Sequence, residues 1–377
     1  MRLKAIILAV AFLVFASTGI VMAETQPGPG AVYTMTNAVN GNEVLAFSRS
    51  ADGSLAPDGT FATGGSGTGG GLGNQRGLIL SPDNRLLFAV NAGSDTISVF
   101  KVTPKSLMLI DTIGSGGVLP ISLALYKNLL YVLNAGGSDS GADNISGFII
   151  GQDGTLSPLA GSAQPLSQPA TGPAQIEFTP DGNVLVVTEK ATNKIDTYVV
   201  DNTGLASAPV TFDSEGITPF GFALGKQNLL LVSEAAGGSA DASSVSSYVV
   251  YPDGNLEVIS AKVPTHETAA CWLVVTKNGR FAFTTNAGDG SISGFGINKD
   301  GYIFLLDADG KTGITGMGSV PLDMAFSKNS HFLYSLNSGN GTISGFQVGP
   351  SGQLIPLTDP PIQATDLPSS ANGLAAF

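Results

Sequence analysis

The stretch Leu130-Tyr-Val-Leu-Asn134 decides the fold, because closely similar stretches recur along the whole chain. Each copy is a short apolar strand pattern that ends in Asn or Glu, and the ends of successive copies lie 43 to 55 residues apart. The other six copies occupy residues 32–37, 87–91, 185–189, 230–234, 282–286 and 333–337. A repeat of this length predicts one supersecondary unit per copy.

Each copy belongs to a longer unit of four strand patterns. An apolar strand and a turn such as Thr179-Pro-Asp-Gly182 precede it, and an alternating strand such as Ile145-Ser-Gly-Phe148 follows it. A second turn, for example Asp153-Gly154, then leads into a weaker strand around a leucine, here Leu156. Asn, Asp and Gly suit such turns because they tolerate positive φ. Four short antiparallel strands per unit predict a β-propeller blade, and no apolar pattern indicates a long helix.

The two ends of the chain predict that the blades form a closed ring. No first strand precedes residues 32–37, whereas residues 371–377 form an isolated first-strand pattern. We therefore expect an all-β, seven-bladed propeller whose C-terminal strand completes the first blade and leaves no open sheet edge. A β-solenoid is the competing architecture, but its repeats are shorter and its ends do not complement each other.

Residues 1–23 read as a secretory signal peptide, with the basic residues Arg2 and Lys4, an unbroken apolar run over 5–14 and a small-residue exit at Ala23. A membrane anchor is the alternative, but the apolar run is short for a span of about 20 residues. We expect residues 24–377 to form one monomeric domain in the periplasm or outside the cell. That part has 15 basic and 29 acidic residues, a charge that disfavours nucleic acid and anionic membranes as partners.

Several kinds of site lack support in the sequence. Cys271 is the only cysteine, so no intramolecular disulfide can form, and we expect a buried thiol. No Gly-x-Ser-x-Gly, His-Glu-x-x-His or Cys/His cluster occurs, so we expect no metal and no cofactor. The acidic loop residues Asp139, Asp143 and Asp241 match no calcium-loop motif. Residues 64–73 are rich in glycine but lead into no helix, which indicates a flexible rim loop and not a phosphate loop.

The propeller geometry indicates which polar residues share a face. In each blade the first strand starts, and the second strand ends, at the same mouth of the central channel. The first-strand starts supply Gln75, Arg76, Ser122, Gln175, Cys271, Trp272, Asp323 and Asn372. The second-strand ends supply Asn37, Asn91, Asn134, Glu189, Glu234, Asn286 and Asn337. We expect the five Asn side chains to bind their own turns, which is a structural role.

Three of these rim residues are candidates for acid–base chemistry. Glu189 and Glu234 could act as acid and base, or they are solvated carboxylates without a specific role. His266 precedes the first strand that carries Trp272, so it lies on the same face and is a candidate general base; simple exposure is the alternative. His331 lies on the opposite face, where a surface role is expected.

The candidate substrate-binding residues follow from the same face assignment. Arg76 could clamp a carboxylate, and Lys190 could support it, although an ion pair with Glu189 is the default for Lys190. Trp272 could stack on a sugar or another flat ligand, or it fills the funnel. The set is completed by Gln175, Asp323 and Asn372.

The repeat resembles the seven-bladed lactonase family, which includes 6-phosphogluconolactonase and the carboxymuconate lactonizing enzymes. The resemblance rests on the apolar strand, the Pro-Asp-Gly turn, the Tyr-Val-x-Asn strand and the x-Val-Ser-x-Phe strand, and it covers essentially all of residues 24–377. The functional stretch of the family is Gly-Pro-Arg-His, followed by Asn-Glu at the end of the next strand. This chain has Gly172-Pro173-Ala174-Gln175 and Glu189-Lys190 instead, so the resemblance implies the fold but not those catalytic residues.

Two functions remain open from the sequence. The first is an exported hydrolase or lactonizing enzyme for a small lactone, with His266 or a rim carboxylate as the base and with Arg76 and Lys190 stabilising the oxyanion. Export argues against a phosphorylated sugar lactone as its substrate. The second is a non-catalytic propeller that binds a protein or glycan outside the cytoplasm, which the replaced Arg, His and Glu positions favour.

Overall fold

The computed structural model describes residues 29–103, 106–136 and 141–377. The expected signal peptide and Asp139 lie outside these ranges. Within them the helical segments are two single 3-10 turns, Lys226–Asn228 and Ala236–Gly238. No helix in the described ranges is long and apolar enough to cross a membrane.

The strands form seven antiparallel sheets. The first three blades contain β1 (Gly30–Met35), β2 (Glu43–Arg49) and β3 (Leu55–Ala62); β4 (Leu78–Leu80), β5 (Leu86–Asn91), β6 (Thr96–Thr103) and β7 (Ser106–Gly114); and β8 (Pro120–Tyr126), β9 (Leu129–Asn134), β10 (Asn144–Ile150), β11 (Leu156–Pro158) and β12 (Gln164–Pro165). The fourth and fifth blades contain β13 (Pro173–Phe178), β14 (Val184–Glu189), β15 (Lys194–Val199) and β16 (Val210–Asp213); and β17 (Pro219–Leu224), β18 (Leu229–Glu234), β19 (Ser244–Val250) and β20 (Leu256–Pro264).

The sixth blade contains β21 (Ala270–Val275), β22 (Phe281–Asn286), β23 (Ser291–Ile297), β24 (Ile303–Leu305) and β25 (Gly313–Ile314). The seventh contains β26 (Pro321–Phe326), β27 (Phe332–Asn337), β28 (Thr342–Val348), β29 (Leu354–Pro356) and β30 (Ile362–Ala364), and the last strand is β31 (Asn372–Ala376). The innermost strands β31, β4, β8, β13, β17, β21 and β26 contact one another in that order and return to β31, so the sheets form a closed ring. The predicted seven-bladed propeller is confirmed.

The ring closes in the predicted way. Strand β31 pairs with β1 as the innermost strand of the first blade, with Ala375 opposite Tyr33. The backbone N–H of Phe377 donates to the carbonyl of Ala31 at 3.0 Å, and Arg49 Nε donates to the carbonyl of Phe377 at 3.2 Å. The C-terminal strand therefore fills the innermost place in the first blade.

A glycine in the turn between the third and fourth strands docks each of six blades onto the preceding blade. These glycines have φ between 85° and 91°, which L side chains rarely adopt. In four of them the carbonyl also accepts a hydrogen bond from a hydroxyl group of the preceding blade. The four pairs are Tyr131 to Gly204 at 2.9 Å, Thr197 to Gly254 at 2.6 Å, Ser247 to Gly301 at 2.9 Å and Tyr334 to Gly53 at 2.6 Å. The other two glycines are Gly154 and Gly352.

Replacing Gly53 by Ala should weaken the contact between the seventh and first blades. An added Cβ would lie 2.7 Å from the ring of Phe332 and 2.9 Å from the side chain of Leu357. Gly161 has a similar φ of 79° but no atom within 4 Å of an added Cβ, so Gly161→Ala imposes the backbone strain alone. We expect Gly53→Ala to lower the free energy of unfolding in urea by about 1–3 kcal/mol more than Gly161→Ala does. Equal losses would contradict this docking role.

Ring closure should depend on the buried side chain of β31. Leu374 is only 5% exposed, whereas Leu109 on the outer strand β7 is 40% exposed. Leu374→Ala should lower the free energy of unfolding by about 2–5 kcal/mol, the usual cost of a core truncation, and Leu109→Ala by well under half of that. Thermal and urea unfolding of the two variants measure this difference. If removal of residues 371–377 left the melting temperature unchanged, closure by this strand would be wrong.

Candidate functional site

The polar residues expected at one channel mouth do converge, but they close the mouth. Gln75 Nε2 donates to the carbonyl of Leu273 at 2.8 Å, and the N–H of Leu273 donates back to Gln75 Oε1 at 3.0 Å. This carboxamide therefore reaches from the second blade to the sixth. On its way it contacts Gly221 of the fifth blade, where any Cβ would collide with Oε1. The absence of a side chain at Gly221 is what lets Gln75 cross the channel.

Asn74, Trp272 and Asn372 complete the closure. The indole Nε1 of Trp272 donates to the carbonyl of Asn74 at 2.6 Å, and Asn372 Nδ2 donates to Asn74 Oδ1 at 2.8 Å. The Asn74 amide also donates to the carbonyl of Ile121. Trp272 is only 5% exposed, with its ring centroid 4.8 Å from that of Phe220. Of the two alternatives for Trp272, the burial of the indole favours the one in which it fills the funnel.

Gln175 makes the same kind of link between neighbouring blades. Its Nε2 donates to the carbonyl of Phe222 at 2.8 Å, and the N–H of Phe222 donates to its Oε1 at 2.8 Å. Ser122 acts in a similar way, because its Oγ accepts the N–H of Ile176 at 3.1 Å. These side chains bind the backbone of the next inner strand, so in this structure Gln175 joins blades and is fully buried.

Glu189 and Glu234 are buried, which contradicts the expectation of solvated rim carboxylates. Glu189 accepts the N–H of Ser167 at 2.9 Å and its hydroxyl group at 2.5 Å. Glu234 accepts the N–H of Gly216 at 2.9 Å and the hydroxyl group of Ser244, and burial raises its pKa. Each carboxylate thus holds the loop that arrives from the outer strand of the preceding blade. A buried group with these bonds is not positioned as a base at an open rim.

Four of the five strand-end Asn side chains bind their own hairpins, which confirms their structural role. They donate to hydroxyl groups on the following strand, at Ser98 for Asn91, Ser146 for Asn134, Ser293 for Asn286 and Ser344 for Asn337. Asn37 differs, because its Nδ2 donates to Thr68 Oγ1 at 3.1 Å and to the carbonyl of Gly70 at 2.7 Å. The glycine-rich loop is therefore tied to the first blade, contrary to the expectation of a loose segment.

Lys190 and the two histidines have separate surroundings. Lys190 Nζ donates to the carbonyls of Gly73 and Pro173 and lies 4.8 Å from the ring centroid of Phe220, so it does not pair with Glu189. Burial lowers the pKa of Lys190 to about 8. His266 is exposed in the loop between β20 and β21. His331, in the turn before β27, packs edge-on against Phe332 with the ring centroids 4.7 Å apart.

The cysteine and the acidic loop residues also have structural surroundings. Cys271 is buried as expected, and burial raises the pKa of its thiol to about 12. Asp143 Oδ2 accepts the N–H of Thr171 at 2.7 Å and its hydroxyl group at 2.9 Å. In the described ranges no three His, Cys, Asp or Glu side chains are grouped closely enough to hold a metal ion.

The opposite half of the channel contains a cavity of about 300 Å³ that opens beside the turn Ser81-Pro82. Arg76 and Asp323 line it together with apolar side chains such as Val274 and Ala325. Gln75 also lines the cavity, and its bonds to Leu273 separate the cavity from the opposite mouth. Arg76 and Asp323 were expected to be reached from the mouth that Gln75 closes. The structure makes them accessible from the other face.

Arg76 lies between two carboxylates in this cavity. Its Nη1 is 2.9 Å from Glu177 Oε1, and its Nε donates to the carbonyl of Leu123 at 3.1 Å. Asp323 accepts the N–H of Met324 at 2.9 Å and that of Leu374 at 3.2 Å. Burial raises the pKa of Asp323 to about 7, although hydrogen bonds from backbone N–H groups and the Arg76 charge act in the opposite direction. The pKa of Glu177 is also raised, because the effect of burial is larger than the opposite effect of the Arg76 charge.

Glu177 is the functional candidate that sequence reasoning missed. It lies on an inner strand two residues after Gln175, at a repeat position that is apolar in every other blade. The equivalent residues are Ile79, Ala124, Ala223, Val274, Ala325 and Ala375. A single carboxylate among these apolar residues is a signal that an alignment of the seven repeats contains.

The fold is similar to that of several solved structures. The periplasmic gluconolactonase PpgL of Pseudomonas aeruginosa matches with a TM-score of 0.70 and 18% identity, over 93% of this chain and 99% of that one. A Lactobacillus plantarum protein matches with a TM-score of 0.73 and 18% identity, over 93% and 99% of the two chains. A Bacteroides fragilis protein named as a proposed 6-phosphogluconolactonase matches with a TM-score of 0.69 and 18% identity, over 94% and 99%.

These likenesses confirm the expected resemblance at the level of the fold. No family model matches the sequence, and no curated protein does. At 18% identity the shared feature is the propeller itself, so function has to be argued from the residues of this chain.

Asp196, which is buried beside Glu189, should make stability depend on pH. Its carboxyl group accepts hydrogen bonds from the Thr211 hydroxyl group at 2.6 Å and from the N–H of Ser167 at 3.1 Å. Burial and the neighbouring Glu189 raise the pKa of Asp196 to about 7. Because the folded pKa exceeds the unfolded one, this group costs stability as pH rises from about 4 to about 7. Asp196→Asn cannot ionise, so we expect its free energy of unfolding, relative to the wild type, to improve between pH 4 and pH 8 in urea titrations.

Asp201→Asn provides the control with the opposite sign. Asp201 lies in an exposed turn where Thr203 donates hydrogen bonds to its carboxylate, which lowers the pKa. Its favourable contribution is present above the unfolded pKa, so the relative stability of Asp201→Asn should not improve as pH rises. The same trend in both variants would exclude a specific contribution from Asp196.

Proposed function

We propose that this protein is an exported lactone hydrolase that works in the channel cavity. The observation that carries the proposal is that Arg76 and Asp323 line the same cavity of about 300 Å³. A carboxyl group whose pKa is raised to about 7 is half ionised at neutral pH, which is the condition a general base requires. A cavity that brings together such a group and a cation is a candidate active site on physical grounds.

The proposed reaction is a general-base hydrolysis. Asp323 removes a proton from a water molecule, and the hydroxide oxygen attacks the carbonyl carbon of the lactone. The oxyanion that forms faces the Arg76 guanidinium, of whose five N–H groups two are engaged by Glu177 and Leu123. The bond between the carbonyl carbon and the ring oxygen then breaks, and the proton passes to that oxygen. The product is an open-chain hydroxy acid, whose ionisation releases a proton to the solvent.

Glu177 positions Arg76 in this proposal. The 2.9 Å ion pair fixes the guanidinium across the channel, and the side chains of both residues are only about a quarter exposed. Because Arg76 already neutralises one carboxylate, the cavity has little positive charge left for a phosphate group. A small unphosphorylated, sugar-like lactone suits it better, which agrees with the substrate class that export favours.

Two further points support the proposal. The basic start, apolar run and small-residue exit of residues 1–23 favour export. One protein with the same fold is a periplasmic gluconolactonase, an enzyme that acts on a sugar lactone outside the cytoplasm. Both points concern compartment and substrate class, whereas the chemistry rests on Arg76 and Asp323.

A non-catalytic binding propeller is the second candidate. The closure of the opposite mouth by Gln75 and Trp272, together with Ala174 and Gln175 in place of Arg and His, favours it. In that case the ring would present its rim to a protein or glycan partner, and the cavity would have no turnover. The two candidates differ in a single measurement, the release of acid from a lactone.

The test uses purified protein and a panel of five- and six-membered sugar lactones, with acid release followed by pH-stat. We expect kcat/KM to rise with pH through an apparent pKa near 7, because Asp323 must be ionised to act as the base. Asp323→Asn should lower kcat/KM by at least about 100-fold, in the range for loss of general-base catalysis. Asp153→Asn, in an exposed turn, is the matched control and should leave kcat/KM unchanged.

The outcomes separate the candidates. Turnover lost in Asp323→Asn but retained in Asp153→Asn, with melting temperatures close to the wild type, supports the channel site. Turnover that survives in Asp323→Asn but is lost in Glu234→Gln would return the chemistry to the opposite rim. No acid release from any lactone would favour the binding propeller.

A further inference from the structure

A second large recess lies away from the channel. It is a groove of about 770 Å³ between the fifth and sixth blades. It lies on the face that carries the turns between the first and second strands and between the third and fourth strands of each blade. Apolar side chains line its base, among them Leu229, Ile259 and Val275. Its size falls within the range of sites for small ligands, so it has room for a short oligosaccharide.

Cations are concentrated around this groove. Lys226, Arg280 and Lys299 line it, and Lys277 and Lys328 lie in the adjacent turns of the sixth and seventh blades. All five side chains are exposed, and within the described ranges none forms an ion pair. The chain as a whole carries a formal charge of −12, so this face departs from the average charge of the molecule. Locally the field favours a negatively charged ligand.

Arg280 stands between two recesses. It lines the large groove on one side and, on the other, a cavity of about 320 Å³ that His331 also lines. Its guanidinium carbon lies 5.2 Å from the ring centroid of Phe281, which supports the planar group from one side. The stem of Lys226 packs along Gly279, with its carbons 3.6–3.9 Å from the position that a Cβ would take. Packing therefore constrains both side chains, at the guanidinium for Arg280 and along the aliphatic stem for Lys226.

Aromatic and carboxylate groups provide the remaining chemistry. Tyr251 lines the groove and is 41% exposed, and Tyr302, which is 55% exposed, follows the groove residue Gly301. The Tyr251 hydroxyl group donates to Glu257 Oε2 at 2.5 Å, which orients both side chains. Glu257 and Asp300 also line the groove. Carboxylate oxygens accept hydrogen bonds from hydroxyl groups, so they suit a polyhydroxylated ligand and disfavour one that presents only anions.

We propose that the groove between the fifth and sixth blades binds a short uronate-containing oligosaccharide. The exposed tyrosine rings pack against sugar faces, Arg280 and Lys299 bind the carboxylate groups, and Glu257 and Asp300 accept bonds from ring hydroxyl groups. Arg suits a carboxylate because its planar group offers two parallel N–H donors. This site is independent of the channel cavity, so it does not depend on lactone hydrolysis by the protein.

The probe is a defined galacturonate tetramer, with an uncharged glucose tetramer as the matched ligand, measured by titration calorimetry at several NaCl concentrations. We expect binding of the uronate only, with an affinity that falls as salt rises. The double variant Arg280→Gln/Lys299→Gln should raise Kd at least about tenfold, the equivalent of losing one charged hydrogen bond. Lys101→Gln/Lys127→Gln removes the same charge from the second and third blades and should change Kd less than about twofold.

A third variant tests the aromatic contact without changing charge. Tyr251→Ala, at the tyrosine that lines the groove, should weaken uronate binding while leaving the salt dependence as in the wild type. Equal weakening by the two double variants would show a general charge effect and would overturn the proposal. So would equal binding of the two tetramers, no binding at millimolar uronate, or groove-dependent binding of a single-stranded oligonucleotide or an anionic vesicle in place of the uronate.

Discussion

The propeller depends on a contact between consecutive blades that uses backbone in place of side chains. The glycine of the third-to-fourth strand turn presents its carbonyl to the blade before it, and in four blades that carbonyl accepts a hydroxyl group from Tyr131, Thr197, Ser247 or Tyr334. Positive φ and the close approach both require glycine at this position. Because this glycine contact recurs in six blades, these blades dock onto their preceding neighbours in the same way, and the ring closes where β31 meets β1.

Closure of the ring brings seven inner strands together around one axis, and their polar groups there must find partners. Gln75, Gln175 and Ser122 solve this by bonding to backbone atoms of other inner strands. Together with Trp272 these side chains close the mouth that they occupy, so this mouth is structural. The opposite half of the channel has small apolar residues at the equivalent positions, and the cavity with Arg76 and Asp323 results.

The fold could be predicted from the sequence, because strand pattern, turn residues and chain ends all repeat and agree with one another. The sequence also predicted that Gln75, Arg76, Trp272 and Asp323 converge. It could not predict accessibility, since that depends on how far a side chain reaches across the channel. The carboxamide of Gln75 in the second blade crosses the channel past Gly221 of the fifth blade to contact Leu273 of the sixth, and no periodicity encodes this contact. Glu177 was missed because it lies well inside an inner strand, whereas the candidate residues were those at the strand starts.

The fold itself does not require charged side chains in the channel cavity. Arg76 and Asp323 bond to the backbone of neighbouring inner strands, but Gln175 and Ser122 make such bonds without a charge. Burial of an ion costs several kcal/mol, and a well-packed apolar group of similar size is often equally stable in its place. The other blades have Ile, Val or Ala at the position of Glu177, and the ring closes around these residues. Asp323 also costs stability near neutral pH, since burial raises its pKa to about 7. A stability cost that the architecture does not require argues that Arg76, Glu177 and Asp323 serve a ligand and not the fold.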